Sequence, residues 1–362
     1  MNFKSISIPF AESLLLAILI IPVIRWISIA VGMVDKPNER KVHSNAVPLA
    51  GGISIALAAG LILALVNSPL FTTQDLTWLG GSVIMLVTGV LDDRLNIKPV
   101  YRLLTQFACA GAVAYAGIRI PSLYGIAGVY ELPVAAQYIV TIVVIAGVVN
   151  AYNLMDGIDG LLGSLTLIGS ATLGIISWSL NRPELAVFFA VLSGAIIGFL
   201  RYNLGSKKIF MGDAGSLMLG FILVTTAIRL LSLSSKYEQT VQLQLLLVVV
   251  GLFIIPVFDS LRVYRGRIKK GMSPFQADKT HLHHLLLLMG ISHKRATLLI
   301  AILKIFILIV IIALSGLIQW WWILLVAIVL FGVSSSVLNM NKRVNEWKQR
   351  VIQMEKPKLS QN

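Results

Sequence analysis

Long apolar runs recur along the chain and constrain its fold more than any other feature. Runs of about 16 to 22 residues, long enough to cross a bilayer as helices, appear from residue 10 to residue 340. Hydrophobic residues make up 57% of the chain and charged residues 13%. A water-soluble domain of 362 residues could not bury that much apolar surface. The pattern therefore predicts an all-α, polytopic integral membrane protein with about 11 transmembrane helices.

The apolar runs also predict where the helices lie. We place them at 10–31, 49–67, 77–91, 102–118, 134–152, 160–180, 185–200, 214–233, 243–261, 297–316 and 320–340. Residues 1–340 then form a single membrane domain, and 341–362 form a basic cytoplasmic tail. Glu12 interrupts the first run and no small-residue cleavage site follows it, so we expect a retained helix rather than a signal peptide.

Lysine and arginine are distributed unevenly between the two sets of loops. The opposite loops hold only Lys4, Arg119, Arg182 and Lys236, whereas most of the 30 basic residues lie in 33–48, 92–102, 201–213, 262–296 and the tail. By the positive-inside rule the second set is cytoplasmic, together with the loop 150–160, which leaves the N-terminus outside. The same bias explains the net charge of +14, so nothing calls for a nucleic-acid partner.

Three acidic motifs lie at predicted cytoplasmic helix ends: LDDR (91–94), NLMDGIDG (153–160) and IFMGDAGS (209–216). A carboxylate at a membrane helix end is costly to bury unpaired and commonly marks function, although each one alone could be a solvated helix cap. Glycines in two of the motifs would let the backbone approach a phosphate closely; they are Gly157, Gly160, Gly212 and Gly215. Three such motifs on one face favour a functional site.

The loop with Asp156 and Asp159 contains no lysine or arginine. If the segment were helical, these residues at i and i+3 would share one face. Clustered carboxylates repel one another unless a cation joins them, and Mg²⁺ favours one or two carboxylates together with phosphate oxygens. We therefore expect a phosphorylated substrate with Mg²⁺, or Mn²⁺ as the alternative, and expect the metal to supply the missing positive charge.

The longest cytoplasmic loop, 262–296, concentrates basic and imidazole side chains: Arg265, Arg267, Lys269, Lys270, His281, His283 and His284. Arginine pairs well with phosphate oxygens and histidine titrates near neutral pH, so we expect phosphate contact or acid–base catalysis. A solvated or capping role is one alternative for the histidines. A zinc site is another, although the only cysteine, Cys109, lies in an apolar helix.

These motifs, in this order, resemble those of the polyprenyl-phosphate N-acetylhexosamine-1-phosphate transferases. The resemblance rests on RKVH (40–43), PLAGG (48–52), LDDR, NLMDGIDGLLG (153–163), KIFMGDAGS (208–216) and RGRIKKGMSPFQADKTHLHH (265–284). It covers nearly the whole chain, and more narrowly it is to the bacterial branch that uses undecaprenyl phosphate and N-acetylglucosamine. The resemblance implies transfer of a sugar 1-phosphate from a UDP-N-acetyl sugar to the lipid phosphate, with release of UMP.

The resemblance also implies roles for individual residues. Asp213 would be the main Mg²⁺ ligand, with Asp156 and Asp159 beside it, and Asp92 or Asp93 would act as a base at the lipid phosphate. Phe210 would stack on uracil with help from Asn203, and Asn153 would line the nucleotide and metal site. The catalytic set would include His281, His283 and His284; further substrate contacts would come from Arg40, Lys41, His43, Lys208, Arg265 and Arg267.

The expected setting is the bacterial inner membrane, with the active site on its cytoplasmic face and the lipid bilayer as a partner. The reaction would initiate a cell-envelope polysaccharide; the identity of the N-acetyl sugar and a homodimer stay open. We prefer direct attack by the lipid phosphate to a covalent aspartyl-phosphate, because a phosphate monoester has a second pKa near 6 and is already ionised.

Two other functions are alternatives. Within the enzymes, the alternative is a phospho-MurNAc-pentapeptide transferase. From another class, it is a lipid or solute transporter, which would need polar groups near the midplane. Lys304 and Arg229 are the deep basic candidates, and both are long enough to snorkel to the interface.

Overall fold

The computed structural model describes residues 4–35, 46–66, 72–272 and 280–359, and within them the fold is a bundle of twelve α-helices. They are α1 (Lys4–Ala30), α2 (Gly51–Leu65), α3 (Thr73–Leu95), α4 (Pro99–Tyr115), α5 (Val134–Met155), α6 (Leu161–Ser179), α7 (Pro183–Asn203), α8 (Gly212–Leu233), α9 (Gln239–Lys269), α10 (Leu282–Leu288), α11 (His293–Leu314) and α12 (Trp320–Leu359). The all-α prediction is confirmed. The β structure in the described ranges is a pair of two-residue antiparallel strands, β1 (Val34–Asp35) and β2 (Val47–Pro48), and two isolated bridges, Leu49 with Phe210 and Ser315 with Ile318.

Each predicted span coincides with one of these helices. Nine helices in the described ranges are long and apolar enough to cross a membrane, which confirms a multi-pass membrane protein. The other two predicted spans correspond to the shorter helices α2 and α4, of 15 and 17 residues. The seven-residue helix α10 was not predicted. The number of helices that cross the membrane and the direction of the termini stay predictions.

Helix α8 forms the centre of the bundle and packs against α2, α3, α5, α6 and α9. Nearly all of its residues are buried. Close approach of its neighbours depends on glycine: a Cβ on Gly52 of α2 would overlap the backbone of Gly215, and one on Gly89 of α3 would overlap that of Ala214. Small residues at contacts of this kind are typical of membrane helices, because they let backbones meet closely.

The periphery of the bundle is apolar and exposed. Leu15 and Leu19 on α1, and Ile302 and Ile305 on α11, are solvent-accessible in the isolated chain. In a bilayer these faces would contact acyl chains, because a helix satisfies its backbone hydrogen bonds internally and can present apolar side chains to lipid. The polar chemistry is thereby confined to the interior and the helix ends.

The two deep basic residues do not snorkel, contrary to expectation. Lys304 is fully buried, and its Nζ donates a hydrogen bond to the carbonyl oxygen of Leu165 at 2.8 Å. Arg229 is 7% exposed, and its Nε donates to Asp75 at 3.3 Å. Partners inside the bundle hold these side chains because α6 and α3 present acceptors within their reach.

The loops at one end of the bundle are tied together by backbone hydrogen bonds around Phe210. Its N–H donates to the carbonyl of Pro48, and its carbonyl accepts from the N–H of Gly51, each at 2.9 Å. These bonds attach the start of α2 to the segment before α8. The PLAGG motif therefore positions the N-terminus of α8 through its backbone.

Candidate active site

The acidic motifs converge at one end of the bundle, where α3 and α5 end and α8 begins. A cavity of about 900 Å³ opens there. Its walls include Asp35, Asp92, Asp93, Asn96, Asn153, Asp156, Gly157, Asp159, Asn203, Lys208, Phe210, Gly212, Asp213, His284 and His293. We call it the acidic cavity. Ten of the expected site residues lie on its walls, and three more line the second cavity described below.

The two aspartates of LDDR have different partners. Asp92 is nearly buried and pairs with Arg102 at 2.5 Å; the same guanidinium reaches Asp213 at 3.4 Å. The oxygens of Asp93 accept hydrogen bonds from the N–H groups of Asp213 and Ala214 at 2.8 and 3.1 Å. Asp93 therefore caps the N-terminus of α8, whereas Asp92 belongs to a charge cluster.

Asn153 connects the end of α5 to the same cluster. Its amide donates hydrogen bonds to Asp213 Oδ1 and to the hydroxyl of Ser216, the latter at 2.9 Å. Arg102 and Asn153 thus hold opposite oxygens of Asp213. The Asp213 side chain keeps 31% exposure toward the cavity, so it is oriented by neighbours yet open to a ligand.

Asp156 and Asp159 do not share a helical face, because α5 ends at Met155 and a turn follows. Burial, together with the nearby carboxylates of Asp213 and Asp93, raises the pKa of Asp156 to about 8, and burial is the largest cause. The group is thus a neutral acid at neutral pH unless a cation joins the cluster. This is the charge pattern expected of a cation site built from carboxylates.

Asp159 faces a different set of partners. Lys208 Nζ lies 2.5 Å and His293 Nδ1 3.2 Å from its carboxylate. Burial alone would raise the pKa of Asp159, but hydrogen bonds from His293 and Lys208 outweigh it and hold the pKa below its usual range. The expectation that a metal supplies all the positive charge at this loop is therefore wrong for Asp159. Lys208, in the segment before α8, pairs with its carboxylate.

Asn203 and Phe210 lie on the wall of the acidic cavity as expected. The buried amide of Asn203, however, accepts a hydrogen bond from Gly160 N–H and donates one to the carbonyl of Ile209 at 2.8 Å. Asn203 therefore joins two loops of the site. Phe210 is only partly buried on the wall, which suits a ring that stacks against a ligand.

The three histidines of HLHH lie in three environments. His281 contacts Asp259, with Nδ1 2.9 Å from the carboxylate. His283 packs against Gly157, where a Cβ would overlap its ring. Burial lowers the pKa of His283 to about 3, helped by the neighbouring His284 and His281, so its ring is neutral at physiological pH. His284 lies on the walls of both cavities.

A second cavity of about 760 Å³ lies beside the first, between α4, α5, α9 and α10. Most of its wall is apolar, including Val100, Leu103, Phe107, Val143 and Leu154. Its polar end carries Arg102, Asn150, Tyr264, Arg267, His281 and His283. The two cavities share Asn153, Gly157 and His284. We call this space the apolar cavity.

The predicted arginines of the longest loop separate in the structure. Arg267 is buried on the wall of the apolar cavity, with its guanidinium 5.7 Å from the centre of the Tyr264 ring. Arg265 is exposed and lies on the wall of neither cavity. The expected contacts of Arg40, Lys41 and His43 fall on residues 36–45, outside the described residues.

The donor set suits a cation that takes some ligands from a substrate. Among the described residues, no group of three or more His, Cys, Asp or Glu side chains is arranged to hold a metal ion by itself. Mg²⁺ characteristically binds through one or two carboxylates and completes its shell with phosphate oxygens and water. Two acids fit this chemistry. Asp213 is partly exposed and held by Arg102 and Asn153, and Asp156 is neutral without a cation.

Several residues of the site were not assigned from the sequence, among them Arg102, His293, Tyr264 and Asp259. A signal for Arg102 existed, because the three-residue connection between α3 and α4 makes these helices antiparallel neighbours and brings residues 92 and 102 together. His293, Tyr264 and Asp259 meet their partners across 134, 114 and 22 residues of sequence. Only the packing of the helices reveals those contacts.

Comparison with known proteins gives a consistent set of similarities. The family model described as glycosyl transferase family 4 matches residues 76–231, from α3 to α8. A probable undecaprenyl-phosphate N-acetylglucosaminyl 1-phosphate transferase of Bacillus subtilis (strain 168) is 33% identical over 298 residues, 82% of this chain and 81% of that protein. The undecaprenyl-phosphate alpha-N-acetylglucosaminyl 1-phosphate transferases of Yersinia pestis and Escherichia coli (strain K12) are each 32% identical, over 83% of this chain and 82% of theirs.

Proposed function

This chain belongs to glycosyl transferase family 4, and we propose that it transfers N-acetylglucosamine 1-phosphate from UDP-N-acetylglucosamine to undecaprenyl phosphate, releasing UMP. The acceptor and the transferred group are those in the names of its relatives. The UDP donor, Mg²⁺ and a location of the site at the cytoplasmic face of the bacterial inner membrane are part of the proposal. Its product would be the first lipid-linked intermediate of a cell-envelope polysaccharide.

The meeting of two unlike cavities is the observation that carries this proposal. The acidic cavity is lined by carboxylates and open to polar ligands, whereas the apolar cavity runs between membrane helices. They share Asn153, Gly157 and His284. A water-soluble nucleotide sugar in the first and a lipid in the second would therefore bring their phosphates to the same wall, as a transfer between the two requires.

Arg102 and Arg267 are suited to the lipid phosphate. Both lie on the wall of the apolar cavity, and Arg102 also pairs with Asp92 at the edge of the acidic cavity. Arginine pairs with phosphate through several N–H donors and would fix the position of an attacking oxygen. The long apolar wall between α4 and α5 would hold the first part of the polyprenyl chain.

In the proposed reaction, a lipid phosphate oxygen attacks the sugar-bearing phosphorus of the donor, and the bond from that phosphorus to UMP breaks. The attacking group is ionised at cytoplasmic pH, because the second pKa of a phosphate monoester is near 6. Asp93 already accepts two backbone N–H groups, and Asp92 pairs with Arg102. A strong general base is therefore neither required nor favoured by these contacts.

Asp213 and Asp156 would hold Mg²⁺ in the acidic cavity, which both of them line. The ion would supply the positive charge that offsets the diphosphate of the donor. We place Asp159 with Lys208 and His293 on the nucleotide-sugar side instead, because its charge is already balanced by these two residues. Phe210 is the aromatic side chain of this wall that could stack against uracil.

The two alternative functions are less well supported than the transfer reaction. The names of the relatives specify N-acetylglucosaminyl 1-phosphate rather than a MurNAc-pentapeptide. For a transporter, the deep basic side chains would be the candidate substrate contacts, yet Lys304 and Arg229 are bonded to Leu165 and Asp75 inside the bundle.

The test is UMP release by purified protein in detergent, with UDP-N-acetylglucosamine and Mg²⁺, with and without undecaprenyl phosphate. We expect release to depend on both lipid and metal, and mass spectrometry to find the lipid diphosphate sugar in equal amount. Folded protein that releases no UMP across a panel of UDP-N-acetyl sugars would overturn the proposal.

A further inference from the structure

Asp259 lies at the centre of a buried hydrogen-bond cluster beside the apolar cavity. It is fully buried on α9. Its Oδ2 is 2.9 Å from His281 Nδ1, and Arg262 Nη2 donates to Oδ1 at 2.7 Å. The N–H of Leu282 donates to both oxygens at 3.1 Å. Arg262 also donates to the carbonyl of Thr280, so the residues on both sides of His281 are held.

This arrangement determines which nitrogen of His281 carries a proton. An ionised carboxylate accepts hydrogen bonds and donates none, so the Nδ1 that faces Asp259 must be the donor. Nε2 is then the nitrogen left for another partner. Arg262 balances the charge of Asp259, which allows the carboxylate to stay ionised although it is buried.

The Nε2 atom of His281 is itself buried and makes no hydrogen bond with the residues the structure describes. Buried polar atoms nearly always have a partner, so an unpaired one on a cavity wall indicates a ligand or water. His281 lies on the wall of the apolar cavity together with Arg102 and Arg267. These are the two arginines suited to the lipid phosphate.

We propose that Asp259 is a positioning residue, which holds the Nδ1–H of His281 and aims Nε2 at the polyprenyl phosphate. With the anionic lipid phosphate bound, the ring carries a proton on both nitrogens, and its Nε2–H donates a hydrogen bond to a phosphate oxygen. This rests on the proposed function, because it needs a lipid phosphate at the polar end of the apolar cavity. A carboxylate that orients a histidine and stabilises its charged form has the same effect in other sites. The competing role for Asp259 is structural, as an anchor for the start of α10.

Kinetics of Asp259→Asn, His281→Gln and the double variant separate the two roles. The amide of asparagine has one acceptor oxygen and cannot replace all the contacts of the carboxylate. We expect Asp259→Asn to lower kcat/KM for undecaprenyl phosphate by about 10- to 100-fold, the usual loss when a carboxylate that orients a histidine is removed. The KM for UDP-N-acetylglucosamine should stay within about twofold of the wild-type value. The double variant should be no slower than His281→Gln, because the two residues act as one unit.

Asp75→Asn is the matched control. Asp75 is 2% exposed, and it pairs with Arg229 at the opposite end of the bundle. The Asp75→Asn variant should show the effect of losing a buried ion pair, but its kcat/KM for undecaprenyl phosphate should not fall as it does in Asp259→Asn. Wild-type activity in Asp259→Asn would overturn the proposal. So would losses that multiply in the double variant, or equal changes in KM for both substrates.

A spectroscopic measurement covers the case in which Asp259→Asn fails to fold. In wild-type protein labelled with ¹⁵N-histidine, the signal that disappears in His281→Gln should report a proton on Nδ1. Its Nε2 resonance should shift when undecaprenyl phosphate is added. A proton on Nε2 alone, or no shift in protein that releases UMP, would overturn the role of Asp259. Absence of lipid-dependent UMP release in the wild type would instead overturn the proposed function.

Discussion

The carboxylate of Asp93 accepts a hydrogen bond from the backbone N–H of Asp213 at 2.8 Å, so one acid of the site caps the helix that presents another. Its second oxygen accepts from Ala214 N–H. Asp92, the preceding residue, instead pairs with Arg102. Two adjacent aspartates of one motif therefore act differently, the first through charge and the second through backbone geometry.

Replacement of Asp93 should lower stability more than replacement of Asp92. In Asp93→Asn the amide NH₂, a donor, would face one of the backbone N–H groups that the carboxylate accepts in the wild type. The substitution should lower the free energy of unfolding by about 1–2 kcal/mol, the range for loss of a helix cap. A thermal melt in detergent measures this as a lower Tm. Asp92→Asn, which keeps the cap, serves as the comparison. Equal melting temperatures in the two variants would contradict the cap assignment.

Asp213→Asn should abolish UMP release even at saturating Mg²⁺. The substitution removes the negative charge of a ligand but leaves an oxygen for Asn153, so the fold should persist. Binding of Mn²⁺ in the presence of UDP, followed by electron paramagnetic resonance, should weaken in parallel with the activity. Substantial turnover in this variant would remove Asp213 from the proposed metal site.

The affinity for Mg²⁺ should rise with pH. Burial and the nearby carboxylates of Asp213 and Asp93 raise the pKa of Asp156 to about 8, so below that pH a cation must displace its proton. The apparent affinity should increase up to about tenfold per pH unit, the limit for one displaced proton, and level off above pH 8. A titration of activity against Mg²⁺ from pH 6.5 to 9 measures it, and a flat profile would contradict the pKa of Asp156.

The same raised pKa has a consequence for metal-free protein. Its value is above that of an unfolded aspartate, about 3.9. The contribution of Asp156 to the stability of the fold is therefore complete below the unfolded pKa. It is lost as the pH rises through the pKa in the folded protein, about 8. Asp156→Asn should accordingly raise the Tm of metal-free protein at pH 8 while removing the pH dependence of Mg²⁺ affinity.

Gly52→Ala should destabilise the bundle and impair the site together. A Cβ at this position overlaps the backbone of Gly215, which cannot move aside as a side chain could. Overpacking of this kind costs about 1–3 kcal/mol. Gly60→Ala is a control on the same helix, because nothing lies within 4 Å of the added Cβ. It should be neutral or slightly stabilising by helix propensity. Similar Tm values for the two variants would contradict the close contact of α2 with α8.

The sequence was sufficient for eleven of the twelve helices in the described residues and for most walls of the acidic cavity. Apolar runs report helices directly, and three acidic motifs at alternate helix ends must meet at one face of a bundle. The pairing of individual acids was less predictable. Asp159 forms an ion pair with Lys208, 49 residues away. That contact depends on where the segment between α7 and α8 lies relative to the site.

The histidine cluster shows the same limit. Because the three histidines lie within four positions, the sequence predicts the same role for all of them. In the structure they lie at the start of α10, where their side chains point into three different environments. His281 meets Asp259 of α9, His283 is buried over Gly157, and His284 lines both cavities. Residue spacing alone could not separate them, because a seven-residue helix has too short an apolar pattern to be recognised.

The pairing of Arg229 with Asp75 has a consequence for the biogenesis of the protein. The two residues are 154 positions apart, on α8 and α3. During synthesis α3 emerges long before α8, so each helix would enter the lipid with a charge that has no counter-ion. Nearly all residues of helix α8 are buried in the bundle, so α8 would gain most of its contacts by packing against helices that are already in the bilayer. Retention of α3 near the insertion machinery until α8 arrives would allow the two charges to enter the bilayer as a neutral pair.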